Sequence, residues 1–173
     1  MLPDTGKFSV LHSILLHIIL LAAILLPAHA HNGIADHVIV NKTERRLYLM
    51  DGKDILSEYK IALGLAPEGH KQQEGDFRTP EGRYLLTRRL IESDFFMAIE
   101  VSYPNARDAA QAQERGVNPG GYIMIHGQPV EPKKDARYYA KFDWTNGCIA
   151  VSNEAMTEIW QHTRVNTPIT ILP

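Results

Sequence analysis

The stretch His37-Val38-Ile39-Val40-Asn41-Lys42-Thr43-Glu44-Arg45-Arg46-Leu47-Tyr48-Leu49-Met50-Asp51-Gly52 reads as two short strands followed by a tight turn. Residues 37–41 and 47–50 are rich in β-branched and large apolar side chains, and Asp51-Gly52 tolerates the positive φ that tight hairpin turns require. Residues 55–64 continue as a third strand in which Tyr59, Ile61 and Leu63 alternate. An antiparallel meander near the start of the folded part is therefore expected. Further on, residues 83–90, 95–101, 122–125 and 168–172 also read as strands. Two stretches read as helices. Residues 106–115 have helical propensity and end at Gly116, and residues from Ser152 as N-cap to about 162 place Ala155, Ile159 and His162 inward. A helical turn is also expected near residues 136–140. The pattern is mostly β, a β-rich α+β class with one or two short helices. It lacks the βαβ alternation of a parallel doubly wound sheet.

The segment before this region has another character. Residues 18–26 carry no polar side chain, Lys7 precedes them, and Ala28-His29-Ala30 follows. That combination describes a secretory signal peptide over residues 1–30, with an uncleaved membrane anchor as the alternative. The remaining residues, 31–173, suffice for one domain. With 45% apolar and 22% charged residues, the chain has the balance of a globular protein. A formal net charge of -2 gives no basic excess to attract nucleic acid or an anionic membrane. Membrane association is expected only through the N-terminal segment, if it stays uncleaved.

An exported domain sits where disulfides persist, yet this one has a single cysteine, Cys148, which cannot pair within its own chain. It lies in Thr145-Asn146-Gly147-Cys148-Ile149-Ala150. A glycine before a cysteine lets the backbone turn and a substrate approach, and neighbouring N–H groups can hold an oxyanion. An inert buried thiol is the ordinary alternative. The apolar run Tyr122-Ile123-Met124-Ile125 delivers His126 to the mouth of a loop, where a rigidly held imidazole suits a general base. Residues 66–82 form a long loop with Pro67, Gly69, Gly75, Pro80 and Gly82, and loops of that length are often functional. No metal-ligand spacing stands out. His29, His31 and His37 cluster, but His29 and His31 flank the expected cleavage site, and neither Asp135 nor Asp143 makes a recognisable metal motif with His126.

Together these residues resemble the L,D-transpeptidase catalytic domain family of the YkuD type, over nearly all of residues 31–173. Ile125-His126-Gly127 matches its histidine motif and Thr145 to Ile149 its cysteine motif. Gly75-Asp76-Phe77-Arg78-Thr79-Pro80-Glu81-Gly82 is similar to its T-P-x-G segment. Ser102-Tyr103-Pro104-Asn105-Ala106 and Asp143-Trp144-Thr145 look most like the YafK-related branch. The resemblance implies a YkuD-like β-sandwich or barrel and a cofactor-free cysteine enzyme acting on peptidoglycan stem peptides. In that reading Cys148 attacks a stem-peptide carbonyl, His126 takes the thiol proton, and the carbonyl of Gly127 orients the ring. The N–H groups of Gly147 and Cys148 hold the oxyanion, and Asn146 and Thr145 adjoin the thiol as substrate-binding candidates. Arg78, Tyr103 and Trp144 are further candidates for substrate contact, with a solvated surface or packed core role as the alternative for each. Hydrolysis of existing bonds, including release of a wall-attached lipoprotein, and a catalytically silent wall-binding domain are the alternatives. Two positions depart from the family pattern. Asn146 stands where many members carry a second histidine, and Ala150 where they carry Arg or Asn.

Overall fold

The computed structural model describes residues 33–173, so the expected signal peptide, His29 and His31 lie outside the described residues. Eight strands and three helices follow in order: β1 (His37–Asn41), β2 (Arg46–Asp51), β3 (Asp54–Lys60), β4 (Gly82–Leu90), β5 (Ala98–Val101), α1 (Ala106–Glu114), β6 (Met124–His126), α2 (Ala136–Lys141), β7 (Ile149–Ala150), α3 (Asn153–His162) and β8 (Pro168–Leu172). The strands form one sheet in the order β3-β2-β1-β8-β4-β5-β6-β7. The strand-rich class is as expected, with three helices in place of one or two.

Alternation places the core. Val38 and Val40 of β1, Leu47 and Leu49 of β2, and Ile169 and Ile171 of β8 are all buried, while their neighbours along each strand are half-buried or exposed. β1 to β3 make the expected antiparallel meander. The last strand then returns beside the first: β8 pairs with β1 in parallel and with β4 antiparallel. Helix α3 starts at Ser152, whose hydroxyl accepts from Ala155 N, and buries Met156 and Ile159 against this core. His162, expected on that inner face, instead bonds the carbonyl of Gly33 through Nδ1 at 2.9 Å. Helix α1 begins with a reciprocal cap between Asn105 and Asp108.

The sheet's other end positions the site. β6 is flanked by β5 and β7, and His126 stands in register with Ala98 on one side and Ala150 on the other. Small residues on both neighbouring strands leave room for an imidazole. The loop over residues 66–82 is tied down rather than loose. Ala66 N donates to Phe77 O, Glu74 N to Asn118 O, and Asp76 accepts backbone N–H bonds from Gln72, Gln73 and Arg78.

Candidate active site

Strand β6 ends at His126, and the turn before β7 presents Cys148. Both line one cavity of about 610 Å3, together with Lys71, Phe77, Phe95, Tyr122, Trp144 and Asn146 among others. The turn is held from within. Thr145 Oγ1 accepts from Gly147 N at 3.1 Å and donates to Cys148 O at 2.8 Å. Gly147 has φ 125°, and a Cβ there would stand 2.6 Å from the Arg78 carbonyl, so this position admits no side chain. Cys148 is half-buried, with Sγ 3.5 Å from the carbonyl of Tyr122. Burial pushes its thiol up from the ordinary value, opposed by the Met124 N–H and by the charge of Lys71.

His126 is fully buried. Phe95 stacks on its ring at 3.9 Å between centroids, and Trp144 meets it edge-on at 5.6 Å. Nδ1 donates to the Gly127 carbonyl at 2.7 Å, which leaves Nε2 as the unprotonated nitrogen of the neutral ring. Among the described residues Nε2 has no hydrogen-bond partner. The apolar surroundings push the imidazole down to about 4, only partly offset by the Gly127 carbonyl. Gly127 is itself hemmed in: a Cβ would fall 2.7 Å from the Phe96 carbonyl and 2.6 Å from Asn153 Oδ1.

The residues named from sequence divide into two groups. Cys148, His126, Trp144, Thr145 and Asn146 line the cavity. The Thr145 hydroxyl, however, is spent inside the turn, and the Gly147 N–H it holds is engaged rather than open to a ligand. Arg78 and Tyr103 are not among the lining residues. The Arg78 side chain packs near Gly69, and Tyr103 is buried with its hydroxyl donating to Pro119 O at 3.1 Å. Asp135 caps α2, and Asp143 pairs with Arg45 and accepts from Leu63 N, so neither joins His126. Among the described residues no three His, Cys, Asp or Glu side chains gather closely enough to hold a metal ion. Sequence reasoning did not single out Lys71, Phe95 or Tyr122. Lys71 lies in the long loop that was marked as functional, but nothing in its immediate neighbours distinguishes it from a surface lysine.

Because the Thr145 hydroxyl is buried and makes both bonds across the turn, Thr145→Val is expected to cost about 1–3 kcal/mol of stability. A urea melt with a lowered midpoint and unchanged slope checks this, and an unchanged midpoint would show that the turn holds without it.

Comparison with known proteins agrees with this geometry. Residues 35–171 match the family model described as the L,D-transpeptidase catalytic domain, YkuD. YafK of Escherichia coli (strain K12) is 34% identical over 131 residues, which cover 72% of this chain and 46% of that protein. Among solved structures, the helical cell shape determining protein Pgp2 from Campylobacter jejuni superposes with a TM-score of 0.60 at 30% identity, covering 78% of this chain and 46% of that one. An L,D-transpeptidase from Mycobacterium smegmatis shares the fold at a TM-score of 0.52 and 11% identity, over 79% of this chain and 58% of that one. The chain thus spans about half the length of the curated relatives it matches. With its strand order, His126 and Cys148 on one cavity, and a family match across nearly the whole described region, the chain belongs to the L,D-transpeptidase catalytic domain family.

Proposed function

We propose that the protein is a cysteine L,D-transpeptidase that acts on peptidoglycan stem peptides through a Cys148 thioester. The observation that carries this reading is the pairing, on one cavity, of a thiol with a buried imidazole that is neutral and free at Nε2. In the first half-reaction the Cys148 proton passes to His126 Nε2 as Sγ bonds the carbonyl carbon of the third stem residue. The Cys148 N–H is the oxyanion donor. The bond to the terminal D-residue breaks, and the imidazolium returns its proton to the leaving amine. An acceptor amine then attacks the thioester and restores the thiol. Phe95 and Trp144 pack on the imidazole, and this burial keeps it neutral and ready to accept the proton. In this reading residues 1–30 direct export, and the enzyme works in the cell envelope on the wall.

The test incubates the protein and its Cys148→Ala variant with defined disaccharide tetrapeptides and with lipoprotein-bearing sacculi, and reads products by mass spectrometry. A thioester adduct on Cys148 and new crosslinks, both absent from the variant, are expected. Loss of the terminal D-residue or release of lipoprotein without crosslinks would replace transfer by hydrolysis. Identical products from both proteins would overturn the enzymatic reading and leave a wall-binding domain.

A further inference from the structure

Among the described residues, Lys71 is the only cation that lines the cavity shared by Cys148 and His126. A lysine in such a loop is ordinarily a solvated surface group, but this one is 3% exposed. A buried ammonium persists only where it is paired and hydrogen-bonded. Its Nζ donates to Asp76 Oδ1 at 2.8 Å and to the Gln73 carbonyl at 3.0 Å. An ammonium has three protons to donate, so two protein acceptors leave one unspent.

The carboxylate partner is itself held by the backbone. Asp76 Oδ2 accepts from the N–H groups of Gln72 and Gln73, and Oδ1 accepts from Arg78 N as well as from Lys71. Three backbone donors also hold that carboxylate, so it is fixed in place and positions the ammonium on the cavity wall. Among the described residues, the one anion on the cavity wall is that of Glu74, which is exposed and accepts from Asn118 Nδ2 at 2.8 Å. Closer to the nucleophile the wall offers no other cation. Ala150, two residues past Cys148, is buried and exchanges backbone bonds with Ala62 at 2.8 Å in both directions. The Lys71 charge is felt at the thiol, where it favours the thiolate. It is therefore placed to be felt by an anionic group beside the scissile bond.

We propose that Lys71 is the specificity residue that anchors a carboxylate of the stem peptide beside Cys148, a reading that rests on the acyl-transfer chemistry proposed above. The carboxylate is either that of the terminal D-residue or the free one on the diaminopimelate side chain. Both offer the same chemistry to an ammonium, and the experiment separates them.

Three disaccharide tetrapeptides serve as probes: one with both carboxylates free, one amidated at the terminal residue, and one amidated at the diaminopimelate. Each is assayed for kcat and KM with the wild-type protein, Lys71→Gln and Lys71→Arg. In the wild type, amidating the anchored carboxylate is expected to lower kcat/KM by about tenfold or more, chiefly through KM. In Lys71→Gln the acid-to-amide ratio falls to about one, and in Lys71→Arg it is largely kept. Which amide shows the effect identifies the carboxylate. The ratio is taken within one preparation, so a partly unfolded variant does not distort it. The same three peptides are titrated against Cys148→Ala and against Cys148→Ala with Lys71→Gln, and Kd should show the same loss of discrimination. If no peptide is turned over, the acyl-transfer reading fails while the Kd ratios still decide the anchor. A wild type that treats all three peptides alike, or a Lys71→Gln that keeps the wild-type ratio, overturns the proposal.

Discussion

Replacing His126 by glutamine is expected to lower kcat/KM by about 10²–10⁴-fold, because in the proposed mechanism it is the group that takes the thiol proton. The size of the effect follows from the protonation states of the pair. Burial raises the Cys148 thiol above its ordinary value and lowers the His126 imidazole to about 4. The resting pair is then a neutral thiol and a neutral imidazole on one cavity, and in the proposed mechanism the proton moves as the Sγ attacks. A preformed thiolate and imidazolium would need the opposite shifts. Glutamine keeps a polar atom in the space but cannot carry the proton. The wild-type kcat/KM should accordingly show no inflection near pH 6.5, where an ordinary imidazole titrates. Its acid limb belongs near pH 4. A limb near the ordinary imidazole value would mean that the aromatic cage of Phe95 and Trp144 is open to water when the enzyme works.

The same group predicts a stability profile. The unfolded chain binds a proton on this ring as pH falls through about 6.5, whereas the folded chain does so only near pH 4. Between those values the unfolded state holds more protons, so stability falls as pH falls across that window, by about 3 kcal/mol in all. His126→Gln lacks this contribution. Denaturant midpoints at pH 7 and pH 4.5 should therefore differ more for the wild type than for the variant. Equal differences would show that the ring titrates alike in both states.

How much of this was legible in the sequence depends on where the determining interactions lie. Local patterns fix β1, β8 and the cap of α3, because alternation and an N-cap serine are properties of a few neighbouring residues. Boundaries near the site were harder. The strand expected over residues 95–101 is Ala98–Val101, since Met97 takes φ 45° and Phe95 turns away to bridge Pro129. The strand expected over residues 122–125 begins at Met124 because Tyr122 has φ 54°, and it runs on to include His126. A backbone twist at a bulky non-glycine residue has no local signature. β7 is two residues long and exists because β6 lies beside it. The parallel return of β8 to β1 is likewise a long-range choice. At the site, the flanking glycines made Cys148 and His126 readable. Phe95, which stacks on the His126 ring, arrives from a loop 31 residues earlier and resembles any other aromatic in sequence.

Gly64→Ala is expected to be among the most damaging single substitutions in the chain, although nothing in its sequence neighbourhood marks it. After β3 the backbone passes between the long loop and the cysteine turn, and Gly64 bridges Thr145. A Cβ at Gly64 would overlap the Phe77 carbonyl oxygen, lie 2.9 Å from its carbonyl carbon and 3.0 Å from Gly147 Cα. All three are backbone atoms, so no side chain can swing aside. The neighbouring bonds Leu65 N to Thr145 O at 3.1 Å and Ala66 N to Phe77 O at 3.2 Å hold the same junction closed. A methyl group must push apart the segment that carries Lys71 and Phe77 and the turn that carries Cys148. A loss of about 3 kcal/mol is expected, at the upper end for overpacking, together with a loss of activity in the protein that remains folded. Gly121→Ala sets the baseline, because its added methyl would meet nothing closer than the Tyr103 carbonyl at 3.9 Å and should change stability by less than about 1 kcal/mol. The denaturant midpoint decides between them. If Gly64→Ala melts with Gly121→Ala, the close approach is not what holds the two halves of the site together, and the rigidity of the Cys148 turn must come from Thr145 alone.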